Sequence, residues 1–138
     1  MKIKVMANTL DNNEYWAAVV RSYLASRGVF AVTLWGGPGS GKTSLLERTI
    51  AVLKKEMRLA VITGDLFTGR DGQYIERQGV PVVQINTAGG GILDAAMINS
   101  ALRELDLQAL DLLLIENVGN LVCSVQSNLG EDAKVVVL

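Results

Sequence analysis

Residues 36–43 read Gly-Gly-Pro-Gly-Ser-Gly-Lys-Thr, which fits the phosphate-binding P-loop pattern G-x-x-x-x-G-K-[ST]. An apolar, β-favouring run at 30–35 precedes the loop, and residues 44–55 carry apolar side chains at helical spacing. Glycines let the backbone wrap around phosphate oxygens, so that several N–H groups point inward at the positive end of the helix. The alternative, a glycine-rich turn that matches by chance, does not explain this order of strand, loop and helix.

The loop residues have separate expected roles. Lys42 is expected to neutralise the β- and γ-phosphates of a nucleotide. The hydroxyl of Thr43 is expected to bind the accompanying Mg²⁺, which favours hard oxygen ligands. The loop residues predicted to bind the nucleotide are Gly37, Pro38, Gly39, Ser40, Gly41, Lys42, Thr43 and Ser44.

The rest of the chain alternates segments typical of strands and of helices. Strands are predicted at 30–35, 59–63, 81–85, 112–115 and 134–138, and helices at 13–27, 44–55, 71–78 and 93–105. This alternation predicts an α/β fold of three layers, with a mainly parallel sheet between helices and right-handed crossovers. We interpret the chain as a single domain, with 1–28 as a helical leader and 29–138 as the nucleotide-binding core.

Ligands of such sheets bind beyond the carboxyl ends of the strands, which directs attention to the residues that follow each strand. Glu116 follows four apolar residues, where P-loop proteins place a carboxylate that holds Mg²⁺ or its waters, although a solvated turn also carries glutamate. Asp65 is expected to contact the metal through water or to orient the attacking water; its alternative role is in a turn or helix cap. Gly119, lacking Cβ, is expected to approach the γ-phosphate with its N–H. Lys42, Asp65 and Glu116 are the expected catalytic residues.

Composition excludes several classes of function. The chain has 138 residues, of which 49% are hydrophobic, and a net charge of −1 without a basic stripe, so neither nucleic acid nor a membrane surface is an expected partner. It has no histidine and one cysteine, Cys123. A histidine-based triad, an intrachain disulfide and a conventional Cys/His zinc site within one chain are therefore excluded. With no apparent secretory signal or membrane span, a cytoplasmic location is expected.

Several segments together resemble the HypB family, GTPases that assist nickel insertion into [NiFe]-hydrogenase. The segments are 36–49, 63–66, 82–87, 111–123 and 129–136, and the similarity begins near Leu10. Glu-Asn-Val-Gly-Asn-Leu-Val-Cys, at 116–123, is far more specific than the P-loop alone. The resemblance implies the SIMIBI class of P-loop NTPases, with GTP and Mg²⁺ as ligands and dimers that respond to nucleotide. It also implies a HypA-like nickel chaperone and the hydrogenase large subunit as partners.

The chain departs from the family at its metal ligands. Gly91 and Ile92 stand where the family has Cys-His, and neither side chain binds nickel or zinc. Cys123 retains the position of the third Ni²⁺ or Zn²⁺ ligand, but a single thiolate per chain makes a poor site when four ligands are normal. We therefore expect weak metal binding, with Cys123 as a buried, inert thiol.

The second departure is length. The chain ends at Leu138 without the N-K-x-D element by which the family recognises guanine, so the C-terminal part of the usual domain is absent from it. One alternative function is a non-catalytic, shortened paralogue that binds nucleotide or pairs with a full-length HypB. Others are a P-loop ATPase or small-molecule kinase, and an accessory GTPase like UreG.

Overall fold

The computed structural model describes residues 2–37, 40–64, 75–86, 93–118 and 128–138. In chain order the elements are α1 (Lys2–Ser26), β1 (Phe30–Gly36), α2 (Lys42–Leu53), β2 (Leu59–Thr63), β3 (Val82–Gln84), α3 (Ala95–Leu102), a 3₁₀ helix (Leu107–Ala109), β4 (Leu112–Val118) and β5 (Ala133–Val136). No helix in these ranges is long and apolar enough to cross a bilayer.

The five strands form one parallel sheet in the order β3-β2-β4-β1-β5. Strand β4 is central, with β1 on one side and β2 on the other. Because the strands are parallel, the carboxyl ends of β1, β2 and β4 meet at one edge, where the predicted site residues are expected. The predicted α/β architecture is confirmed.

Helices cover both faces of the sheet. Val20 and Leu24 of α1 pack with α3 against one face, and Leu46 and Ile50 of α2 pack against the other. Successive residues of a strand point to opposite faces, so a strand that is covered on both sides needs apolar residues throughout. All residues of β2 are buried, as this requires. The three layers predicted from the sequence are therefore present.

Several predicted boundaries differ from the structure. The helices predicted at 44–55 and 93–105 are observed at Lys42–Leu53 and Ala95–Leu102. Two further differences concern α1 and β4. Helix α1 begins at Lys2, whereas the sequence pattern predicted a start at residue 13. Strand β4 continues to Val118, whereas the apolar run predicted an end at residue 115. Glu116 is therefore a strand residue and not the first residue of a loop. The strand continues through polar residues because backbone pairing with β1 extends to Val118, and backbone hydrogen bonds do not depend on side-chain polarity.

The buried faces of two helices also differ from the predicted stripes. In α1 the apolar spacing of the sequence predicts a packing stripe of Trp16, Val19, Val20, Tyr23 and Leu24. Tyr23 is 40% exposed, whereas Ala17, outside this stripe, is fully buried. In α2 the sequence places Leu45, Leu46, Thr49, Val52 and Leu53 at helical spacing. Val52 is 63% exposed, whereas Ile50, outside this set, is fully buried. Both helices carry apolar residues on more than one face, so spacing alone does not identify the side that meets the sheet.

One predicted helix is described only in part, and two predicted strands have different bounds in the structure. The predicted helix 71–78 is helical over residues 75–77, and its first four residues lie outside the described ranges. Strand β3 is shorter than the predicted 81–85, and β5 begins and ends before the predicted 134–138. The glycine run 89–91 lies outside the described residues.

Arg58 and Asp111 join the beginnings of β2 and β4, at the end of the sheet opposite the P-loop. The backbone N–H of Arg58 donates to Asp111 Oδ2 at 2.8 Å, and its guanidinium donates from Nε and Nη2 to both carboxylate oxygens at 3.2 and 3.1 Å. The backbone N–H of Asp111 donates in return to the Arg58 carbonyl at 2.9 Å. The guanidinium bonds, followed by the backbone bond, lower the pKa of Asp111 below its ordinary value.

Replacing Asp111→Asn is expected to lower the melting temperature by a few degrees near neutral pH. The folded-state pKa of Asp111 is depressed, so its contribution is present above the unfolded pKa of about 3.9 and is lost as the pH falls through the folded value. Melting temperatures of wild type and variant are therefore expected to differ at about pH 7 and to lie closer together at about pH 3.

The matched control for this charge change is Glu104→Gln, at an exposed position near the same end of the sheet. It is expected to leave the melting temperature unchanged at both pH values. A difference in melting temperature between wild type and Asp111→Asn that does not change with pH would contradict the assignment of this stability to the ionised carboxylate of Asp111.

Candidate functional site

The P-loop connects the carboxyl end of β1 to the first residue of α2. Gly41, the residue before α2, has φ of +92°, a left-handed conformation that favours glycine. At Gly36 a Cβ atom would lie 2.6 Å from Oγ of Ser40, so a larger residue would collide with the loop. Glycine is thus favoured at 41 by the backbone conformation and at 36 by the close approach of the Ser40 side chain. Pro38 and Gly39 lie outside the described residues.

The ammonium group of Lys42 is buried at the centre of the site. Only 6% of the residue is exposed. Its Nζ donates to the carbonyl oxygens of Gly36 at 3.3 Å and of Asn117 at 3.2 Å, and lies 3.6 Å from Oε1 of Glu116. A buried charge is costly unless it is paired and hydrogen-bonded, and these three acceptors meet that requirement.

Glu116 is placed at this site by the register of the sheet. It pairs with Leu34 of β1 on one side and Thr63 of β2 on the other, and it is 4% exposed. A solvated turn, the alternative considered for this residue, is therefore wrong. The structure brings the carboxylate to Lys42, and the predicted role of Glu116 toward Mg²⁺ stays a prediction.

The remaining predicted site residues divide into two groups. Thr43 and Ser44 lie in the first turn of α2, with Thr43 half-buried and Ser44 exposed, and Gly37 is half-buried at the start of the loop. The others fall outside the described residues: Asp65, Gly119 and Cys123.

Sequence reasoning missed Asn117 as part of the site. Its carbonyl oxygen accepts from Lys42, and its side-chain Oδ1 accepts from the backbone N–H of Leu93 at 3.4 Å. The available signal was a polar side chain next to Glu116 at the end of an apolar strand. That signal does not reveal a contact made by a backbone carbonyl, because every residue has one.

Asn13 of α1 was also missed as a structural contact. Its Nδ2 donates to the carbonyl of Asn128 at 3.0 Å, and its Oδ1 accepts from the backbone N–H of Ala95, the first residue of α3, at 2.9 Å. The side chain thus connects α1 to the start of α3 and to the segment before β5. The only signal for Asn13 in the sequence was its position in the segment Leu-Asp-Asn-Asn at 10–13, where the resemblance begins.

The oxygen donors suit Mg²⁺. This ion usually takes one or two protein oxygens and keeps several waters, and the Glu116 carboxylate and Thr43 hydroxyl are donors of that kind. The described ranges hold no group of three or more His, Cys, Asp or Glu side chains, the arrangement that a nickel or zinc site requires.

Comparisons with known proteins also indicate a nucleotide-binding domain. A family profile described as "CobW/HypB/UreG, nucleotide-binding domain" matches residues 30–135. The hydrogenase maturation factor HypB of Azotobacter vinelandii is 46% identical over 136 residues, which cover 99% of this chain and 45% of that protein.

Solved structures of HypB proteins share the fold. HypB from Archaeoglobus fulgidus superposes with a TM-score of 0.86 at 39% identity, covering 93% of this chain and 62% of that one. HypB from Helicobacter pylori, solved in complex with nickel, gives a TM-score of 0.80 at 36% identity, covering 91% of this chain and 59% of that one.

The resemblance predicted from 36–49 and 111–123 is therefore confirmed. The chain spans about half the length of the curated relatives that it matches, for example 45% of HypB from Azotobacter vinelandii and 46% of HypB from Rhizobium leguminosarum. The matched region contains the P-loop, all five strands except the last residue of β5, and Lys42 with Glu116. The chain belongs to the CobW/HypB/UreG family of nucleotide-binding domains.

Proposed function

We propose that this chain binds GTP with Mg²⁺ and hydrolyses it, in the service of nickel insertion during hydrogenase maturation. The observation that carries the proposal is the buried ammonium of Lys42, held between two carbonyl oxygens and Glu116 at the beginning of α2. A cation at the N-terminus of a helix, next to a glycine loop, favours the binding of phosphate.

The charges of the site support phosphoryl transfer to water. Lys42 would stabilise negative charge on the β- and γ-phosphate oxygens, and Glu116 and Thr43 would hold Mg²⁺, which supplies further charge neutralisation there. A water would attack the γ-phosphorus, and the bond to the β–γ bridging oxygen would break, with GDP and phosphate as products. Asp65 would orient that water, and Gly119 would contact the γ-phosphate.

The choice of GTP rests on the relatives. The chain has no N-K-x-D element that would recognise guanine. Guanine is therefore proposed as the nucleobase only because the relatives are named HypB. The non-catalytic paralogue and the other NTPases are not favoured, because Lys42, Thr43 and Glu116 are all retained and the relatives are maturation factors.

Partners and location follow from the same relatives. We propose a HypA-like nickel chaperone and the hydrogenase large subunit as partners, and a homodimer or a heterodimer with a full-length HypB as the assembly. The site of action would be the cytoplasm. HypB from Helicobacter pylori was solved with nickel, whereas this chain has Gly91 and Ile92 at the family's ligand positions. Nickel delivery would thus depend on ligands supplied by partners.

Lys42→Met is expected to weaken GTP binding at least tenfold and to abolish turnover, because it removes a charge-assisted hydrogen-bond donor from the phosphates. Calorimetric titration and phosphate release measure the two effects, and a melting curve checks that the variant folds. The matched control is Lys54→Ala, at an exposed lysine just after α2. Wild-type affinity and turnover in Lys42→Met would rule out the proposed site.

Glu116→Gln is expected to change the Mg²⁺ dependence of binding. Without Mg²⁺, removal of the carboxylate 3.6 Å from Lys42 leaves the ammonium freer to attract phosphate, so affinity for GDP in EDTA should rise a few-fold. With Mg²⁺, the gain in affinity that the ion normally gives should shrink, and GTP turnover should fall at least tenfold.

Glu131→Gln is the matched control for this variant, since Glu131 is also a buried carboxylate 3.6 Å from a lysine, Lys134. It is expected to leave both binding measurements unchanged. If Glu116→Gln kept the Mg²⁺ dependence of wild type, the proposed role of Glu116 in holding Mg²⁺ would be wrong.

Cys123→Ser is expected to leave nickel and zinc binding as weak as in wild type, because one thiolate is too few ligands for either ion. Metal retained after gel filtration, measured by mass spectrometry, tests this. Tight binding in wild type that disappears in the variant would prove the expectation wrong.

A further inference from the structure

Asn117 contacts two separate parts of the molecule with two different groups. It is fully buried and lies beside Trp35 in the register of β4 with β1. Its carbonyl oxygen accepts from Nζ of Lys42 at 3.2 Å, and its side-chain Oδ1 accepts from the backbone N–H of Leu93 at 3.4 Å. One residue thus joins the phosphate-binding lysine to the segment that leads into α3.

Leu93 is held from a second direction as well. Its side chain packs so closely over Gly64 that a Cβ on that glycine would lie 2.7 Å from Leu93 Cδ2. The backbone N–H of Gly64 donates to the carbonyl of Glu116 at 3.2 Å. Leu93 therefore touches the carboxyl ends of both β2 and β4, and its position is sensitive to a shift in either strand.

Packing alone does not account for a carboxamide at position 117. Nδ2 of Asn117 and Nε1 of Trp35 are buried and have no hydrogen-bond acceptor among the residues that the structure describes. A buried donor without an acceptor costs stability, and an apolar side chain of equal size avoids that cost. The bond from Leu93 to Oδ1 is the contact that only a polar side chain provides here.

We propose that Asn117 is a positioning residue that transmits the movement of Lys42 on phosphate binding to Leu93 and the start of α3. When phosphate oxygens attract the ammonium, the carbonyl of Asn117 loses its donor, and the carboxamide of the same residue shifts with the backbone. The bond to Leu93 then passes this shift to α3. The inference rests on the proposed binding of nucleotide at Lys42.

The test follows the backbone amide signal of Leu93 by NMR while GDP and Mg²⁺ are added to ¹⁵N-labelled protein. In wild type we expect this signal to shift on binding. In Asn117→Leu we expect the shift to be largely lost and kcat/KM for GTP to fall about tenfold, the size expected from the loss of one buried hydrogen bond. The melting temperature of the variant is expected to stay within a few degrees of wild type.

Thr33→Val is the matched control, since Thr33 is buried in β1 and its hydroxyl donates to Oε2 of Glu131 at 3.1 Å, away from Lys42. This variant is expected to melt at a lower temperature while keeping the Leu93 response and kcat/KM. A purely structural role for Asn117 predicts the same pattern for Asn117→Leu, so that result would overturn the proposal.

The wild-type titration keeps the proposal falsifiable even if Asn117→Leu fails to fold. Binding of GDP without a response at Leu93 would overturn the role of Asn117 and leave the proposed function intact. Failure of wild type to bind GDP would overturn the proposed function, and this inference with it.

Discussion

The buried ammonium of Lys42 is the constraint on which the site depends. A charge that is 6% exposed needs several acceptors, and the structure supplies them from the end of β1, the end of β4 and the carboxylate of Glu116. The first acceptor lies at the end of β1, and the other two belong to neighbouring residues near the end of β4. The loop, the central strand and the first turn of α2 must therefore all be correctly positioned for this one group to be buried.

The order of the strands makes that arrangement possible. Strand β4 lies between β1 and β2, and because all three are parallel, their carboxyl ends meet where α2 begins. The register then sets Glu116 opposite Leu34 and Thr63, within reach of Lys42. At the other end of the sheet, Arg58 and Asp111 fix the starts of β2 and β4, which helps to hold the same register along the strands.

The sequence predicted the features that residue type encodes. The P-loop pattern identified Lys42, and continuous apolar runs identified the buried strands, because parallel strands covered on both faces require such runs. It did not predict that β4 includes Glu116 and Asn117, since backbone pairing continued where the apolar pattern ended. Nor did it predict the acceptor role of the Asn117 carbonyl, because a backbone group is the same at every residue and only the fold determines which one meets Lys42.

A crystal structure of the chain with GDP and Mg²⁺ tests the central claim most directly. The account predicts the β-phosphate in the loop between β1 and α2, with Nζ of Lys42 bonded to a phosphate oxygen and withdrawn from the carboxylate of Glu116. Nucleotide bound elsewhere, or a Lys42 that keeps its contacts to Asn117 and Glu116 and makes none to phosphate, would contradict it.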